Sequence, residues 1–88
     1  MSIVAVSEAL IREIRVTDDE IIADLLDGRT ISVPLAWSWR LSEATPEQRA
    51  NVQIISNGQI AHWPDVDEDI SARGMLVGIP APRQTEFV

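Results

Sequence analysis

The stretch EIIADLLDGRTISVPL, residues 20–35, holds two short apolar runs separated by Asp27-Gly28, a pair that marks a β-hairpin. The face pattern selects the loop. A two-residue loop sets Leu25 opposite Thr30 and Asp24 opposite Ile31, which mixes polar and apolar side chains on both faces. A three-residue loop, Leu26-Asp27-Gly28, pairs Ile21 with Val33 and Ala23 with Ile31, so one face is apolar throughout. The expectation is a type I turn closed by a G1 bulge, with Gly28 at positive φ.

Working outward, the preceding LIREIRV alternates at Ile14 and Val16 and predicts a further strand, with Thr17-Asp18-Asp19 as its turn. After Pro34 the period changes. In LAWSWRLSEA, Trp37 and Leu41 stand four residues apart and suit one face of a short helix. Thr45-Pro46-Glu47-Gln48 then combines an N-cap threonine, a proline in the first helical position and a glutamine that completes a capping box, predicting a helix through Ala50. Val52 to Ser56 reads as a strand, turned by Asn57-Gly58 and answered by Gln59 to Trp63, with Ile55 opposite Ile60 and Val52 opposite Trp63. Pro64 ends that strand because it lacks an N–H for the ladder. SARGMLVG reads as a last helix, its start favouring nearby Asp69 and its end marked by Gly78.

Hairpins alternate with short helices, so the expected fold is α+β: a two-layer sandwich with a mostly antiparallel sheet and helices on one face. One domain over residues 1–78 and an extended C-terminal tail over 79–88, IPAPRQTEFV, account for the chain. A chain of 88 residues buries only about 60–65% of the surface its unfolded form exposes, so the core is small.

Composition narrows the function. With no cysteine, disulfides, thiolate catalysis and the usual zinc cages are removed together. Fourteen acidic against seven basic residues give a formal charge of −7, opposite to what phosphate binding needs, so direct nucleic-acid binding is not expected. An acidic surface suits solubility or a basic protein partner. No apolar run approaches a membrane span, and MSIVAVSEAL has neither a basic n-region nor an unbroken apolar segment. The expected location is the cytoplasm.

The chemistry-bearing stretch is HWPDVDEDIS, residues 62–71, which holds the single histidine, one of three tryptophans and four carboxylates. Asp65, Asp67 and Asp69 imitate the start of a calcium loop, but Ile70 stands where glycine is needed and Leu76 where a bidentate glutamate is needed. His62 beside Asp65, Asp67, Glu68 and Asp69 supplies acid/base groups, with Ser56, Ser71 or Thr45 as candidate nucleophiles, as a small hydrolase-like or metal-dependent enzyme would use them, yet no nucleophile elbow or phosphate-cradling loop accompanies them. On the structural alternative, Trp63 and Ile70 pack into the core, Pro64 turns the chain, and the acids cap a helix and stay hydrated. Trp37 and Trp39 point in different directions from a helix, so one is expected buried and the other partly exposed at an interaction surface. The candidate interaction or structural residues are therefore Trp37, Trp39, His62, Trp63, Asp67, Glu68 and Asp69, with no catalytic, cofactor or metal assignment. Three tryptophans exceed what so small a core readily holds, and the strands QIIS and QIAHW carry no charge to guard an edge, which points to a homodimer or a complex with another protein.

Taken together, Asp27-Gly28-Arg29 leading into Ile31-Ser32-Val33-Pro34-Leu35, the box Ala44-Thr45-Pro46-Glu47-Gln48-Arg49, and His62-Trp63-Pro64 followed by Asp67-Glu68-Asp69-Ile70 resemble a bacterial domain-of-unknown-function family over roughly residues 11 to 78. The resemblance implies a small, acidic, two-layer α/β protein. Some members carry a lambda-repressor-like helix-turn-helix domain, and others are encoded beside another small protein in an arrangement that looks like a toxin–antitoxin pair. It supplies no catalytic residues. This chain departs from the family pattern at Trp37-Ser38-Trp39-Arg40-Leu41, where relatives often have aromatic-Pro-Arg-Leu, and at Val52, where a tryptophan is common. The implied role is a non-enzymatic interaction or regulatory module, antitoxin-like toward a neighbouring small protein.

Overall fold

A computed structural model of the chain describes residues 9–78; the tail assigned to 79–88 lies outside them. The described residues form an α+β fold of two antiparallel three-stranded sheets and short helices. The first sheet is a meander of β1 (Ile11–Val16), β2 (Glu20–Leu25) and β3 (Thr30–Pro34). Its β2–β3 register pairs Ile21 with Val33 and Ala23 with Ile31, as the three-residue loop requires. Gly28 N–H donates to the Leu25 carbonyl at 3.1 Å, Leu25 N–H donates to the Arg29 carbonyl at 2.8 Å, and Gly28 has φ +95°. Asp27 stabilises this turn by accepting from the backbone N–H and guanidinium of Arg29, which hold its carboxyl below the usual range.

The second sheet is a meander of β4 (Gln53–Ile55), β5 (Ile60–Trp63) and β6 (Glu68–Ser71). Ile55 faces Ile60, the expected register, but β4 is shorter than Val52–Ser56. At its start Val52 N–H turns back to the Ala50 carbonyl, and at its end Ser56 has φ +56°, which takes it out of the ladder. Strand β6 was not expected. It arises because the four residues after Trp63 turn the chain back, with Asp67 at φ +56°, and Trp63 pairs with Glu68.

Three short helices complete the fold: α1 (Trp39–Ser42), α2 (Pro46–Ala50) and α3 (Ala72–Val77). The α2 capping box forms as read, with Thr45 Oγ1 accepting from Gln48 N–H at 3.2 Å and Gln48 Oε1 accepting from Thr45 N–H at 2.9 Å. The α3 start differs. Ser71, not Asp69, is its N-cap, its hydroxyl accepting from Gly74 N–H at 2.8 Å, and Gly78 closes the helix at φ +82°. Residues 35–42 are not one helix either: a 3-10 turn over Leu35–Trp37 stops at Ser38, which starts α1.

Both sheets feed one core. Ile11, Ile14, Ile21, Ala23, Leu25 and Val33 come from the first sheet and Ala61 and Trp63 from the second, joined by Leu35, Leu41, Ala72 and Met75. Trp63 is fully buried, and its indole N–H donates to the Arg49 carbonyl at 3.0 Å, so the one polar atom of its side chain is satisfied. The sheets meet at Gly58, where an added Cβ lies 3.3 Å from the Ile11 carbonyl oxygen and from Leu10 Cβ.

Candidate functional site

The stretch 62–69 forms a β-hairpin whose side chains go to separate places. Alternation along β5 sends Trp63 into the core and His62 to the outer face, where Asp69 stands directly opposite on β6. Asp69 Oδ1 lies 2.5 Å from His62 Nδ1, with the imidazole 28% and the carboxylate 62% exposed. The pair is a surface contact whose carboxylate fixes the ring's orientation. Gln53 continues the row on β4, opposite His62.

Glu68 faces the other way and is buried, contrary to the expectation that all these acids stay hydrated. Its Oε2 accepts from the Ser38 hydroxyl at 2.5 Å and its Oε1 from Asp69 N–H at 3.1 Å, so burial leaves neither oxygen without a donor. Ser38 is itself buried and also accepts from Leu41 N–H at 3.2 Å. One hydroxyl thereby caps α1 and ties it to β6.

Asp65 accepts from the side-chain amide of Asn51 at 3.0 Å, and the Asp67 carbonyl accepts from Arg40 at 2.6 Å. The carboxylates do not converge, and among the described residues no group of His, Asp and Glu is placed to hold a metal. The tryptophans differ from expectation too. Both Trp37 and Trp39 are half-buried, Trp37 packing against the core and Trp39 lying under the Arg40 guanidinium, 5.2 Å from the ring centroid.

Two residues not singled out from sequence organise this region. Ser38 is one; its position between two tryptophans, with no helix-starting pattern around it, hides its role. Arg49 is the other: it donates to the Leu41 and Ser42 carbonyls at the end of α1, pairs with Asp18 at 3.1 Å, and offers its own carbonyl to Trp63. The basic residue in the last turn of α2 was a visible signal, but its acceptors lie on α1.

The exposed surface carries a different feature. Strand β4 is an edge strand, exposed at all three residues, with Ile54 at 38% and Ile55 at 39%. Leu76 and Val77 on α3 are also exposed and line a surface groove of about 520 Å³ with Ala9, Ile60 and Arg73. A second groove of about 530 Å³ runs between β1 and α2, lined by Ile14, Val16, Pro46, Arg49 and Val52. No helix among the described residues is long and apolar enough to cross a membrane.

Comparison with known proteins places the chain. A search of curated proteins finds no match. A crystal structure of a protein of unknown function from Rhodospirillum rubrum is similar, with 28% identity, a TM-score of 0.75, and 88% of this chain and 95% of that chain covered. A solution NMR structure of an uncharacterized protein from Chromobacterium violaceum shares the fold at 22% identity and a TM-score of 0.70, over 85% of this chain and 71% of that one. The family described as "Protein of unknown function (DUF2442)" matches residues 11–81, which is most of the sequence, and the chain belongs to that family.

Proposed function

We propose that the chain is a small non-enzymatic protein-interaction or regulatory module that acts as the antitoxin-like partner of a neighbouring small protein. The observation that carries this reading is the uncharged, exposed edge strand β4, whose Ile54 and Ile55 stand on the surface of a chain of formal charge −7. The side chains of the histidine–acid stretch support it, because Trp63 and Glu68 serve the interior and Asp65 and Asp69 are tied to near neighbours.

One observation favours a second reading, a small hydrolase-like or metal-dependent enzyme. Asp69 orients the His62 imidazole as a carboxylate orients a general base. Co-expression with the product of the adjacent gene separates the two. The module reading expects the partner to be retained in stoichiometric amount by both the wild-type chain and His62→Gln. No retention by either chain, or a stoichiometric metal in the purified protein that His62→Gln abolishes, contradicts it.

A further inference from the structure

We propose that β4 is a self-association edge, pairing antiparallel with β4 of a second copy to make one continuous six-stranded sheet. The inference rests on the interaction-module reading and names a partner for its surface. The described residues present four sheet edges: β1, β3, β4 and β6. Strand β1 carries Arg12, Glu13 and Arg15, and β6 carries the exposed Asp69. Strand β3 ends in Pro34 and has α3 packed against it. Charge, proline and a covering helix are the devices that stop edges from pairing, and β4, Gln-Ile-Ile, has no charge and no proline.

Charge then identifies the occupant. From Ala50 to Pro64 there are fifteen residues without Asp, Glu, Lys or Arg, a span that includes β4, its turn and β5. Two chains of formal charge −7 repel across most of their surfaces, so a second copy approaches most easily where this neutral hairpin lies. A basic partner gains nothing from charge there. It would be drawn to the acidic faces.

The edge is also self-complementary. With a two-fold axis at Ile54, Ile54 stands opposite its own copy and Gln53 stands opposite Ile55, so no charge faces a charge and both exposed isoleucines are covered. The pleat places Ile54 on the side of Ala61 and Ile70, and Ile55 on the side of Ile60, so the join covers one isoleucine on each face of the sheet.

A cysteine-free chain allows a direct test. Opposed Cα atoms in an antiparallel pair lie about 4.5–5.5 Å apart, within the range that a disulfide spans. Under mild oxidation Ile54→Cys is expected to form an interchain disulfide in high yield, and Leu26→Cys, exposed at the tip of the other hairpin, is expected not to. Sedimentation equilibrium of the unmodified chain is expected to give a mass rising from 9.8 kDa toward twice that value with concentration. Ile55→Glu, at an exposed edge position and with an unchanged circular-dichroism spectrum as the check on its fold, is expected to return it to monomer. A monomer at all concentrations from micromolar to millimolar overturns the proposal. So does a dimer that Ile55→Glu leaves intact, or one in which Ile54→Cys links no faster than Leu26→Cys. A monomer that still retains the adjacent gene product removes this inference alone, whereas a dimer that retains nothing removes the antitoxin-like reading alone.

Discussion

Gly28 and Gly58 both hold positive φ, and the surroundings of each make their substitutions unequal. Gly28 sits at a hairpin tip with open space where a Cβ would go, so only the left-handed backbone resists a side chain. Gly58 has φ +96° and packs against Leu10 and the Ile11 backbone, so a Cβ there also meets atoms that cannot swing away. Gly28→Ala is expected to cost about 1 kcal/mol and Gly58→Ala about 2 kcal/mol or more, read from chemical-denaturation midpoints. Equal losses would show that the contact between the two sheets yields freely at Gly58. The Asp-Gly and Asn-Gly pairs make both hairpins legible in the sequence, because few residues reach positive φ without strain. The positive φ of Ser56 has no such signal. Nor does the inter-sheet role of Gly58, since a contact with residues nearly fifty positions away leaves no local pattern.

Elements whose shape depends on one distant hydrogen bond were the least legible. The spacing of Trp37 and Leu41 suggested a continuous helix, and the chain instead breaks at Ser38 because its hydroxyl serves both α1 and the buried Glu68, thirty residues on. Strand β6 was hidden for a related reason. Glu-Asp-Ile-Ser has few of the β-branched and aromatic residues that announce strands, so its conformation comes from pairing with β5 and from the Glu68–Ser38 contact. In contrast, the α2 capping box is complete within four residues, so local sequence is enough to predict it. Ser38→Ala is accordingly expected to lose about 1–3 kcal/mol, since it removes a helix cap and leaves a buried carboxylate oxygen without its donor. Thr45→Ala, which removes only an exposed cap, is expected to lose about 1 kcal/mol. A Ser38→Ala denaturation midpoint no lower than that of Thr45→Ala would show that Glu68 finds another donor.

At the scale of the molecule, hydrophobic periodicity and turn residues were sufficient for the α+β class and the antiparallel pairing, because each hairpin is a local decision. The division of strands between two sheets was not readable, since it depends on which edges meet around Gly58 and Trp63. The candidate site followed the same rule. Composition located the His62–Asp69 stretch and its pattern placed Trp63 in the core, but the burial of Glu68 depended on the unforeseen β6, whose pairing sets Glu68 beside Trp63 and Asp69 beside His62. What remains on the surface is a neutral edge on an acidic protein, and the proposed interaction uses that edge. Amide hydrogen exchange compared between dilute and concentrated protein, and with and without the adjacent gene product, tests that claim most directly. Backbone amides of Gln53 to Ile55 that face away from β5 are expected to gain protection when the chain associates. Association that leaves these amides exchanging as freely as before, while protection appears around His62 and Asp69, would contradict it.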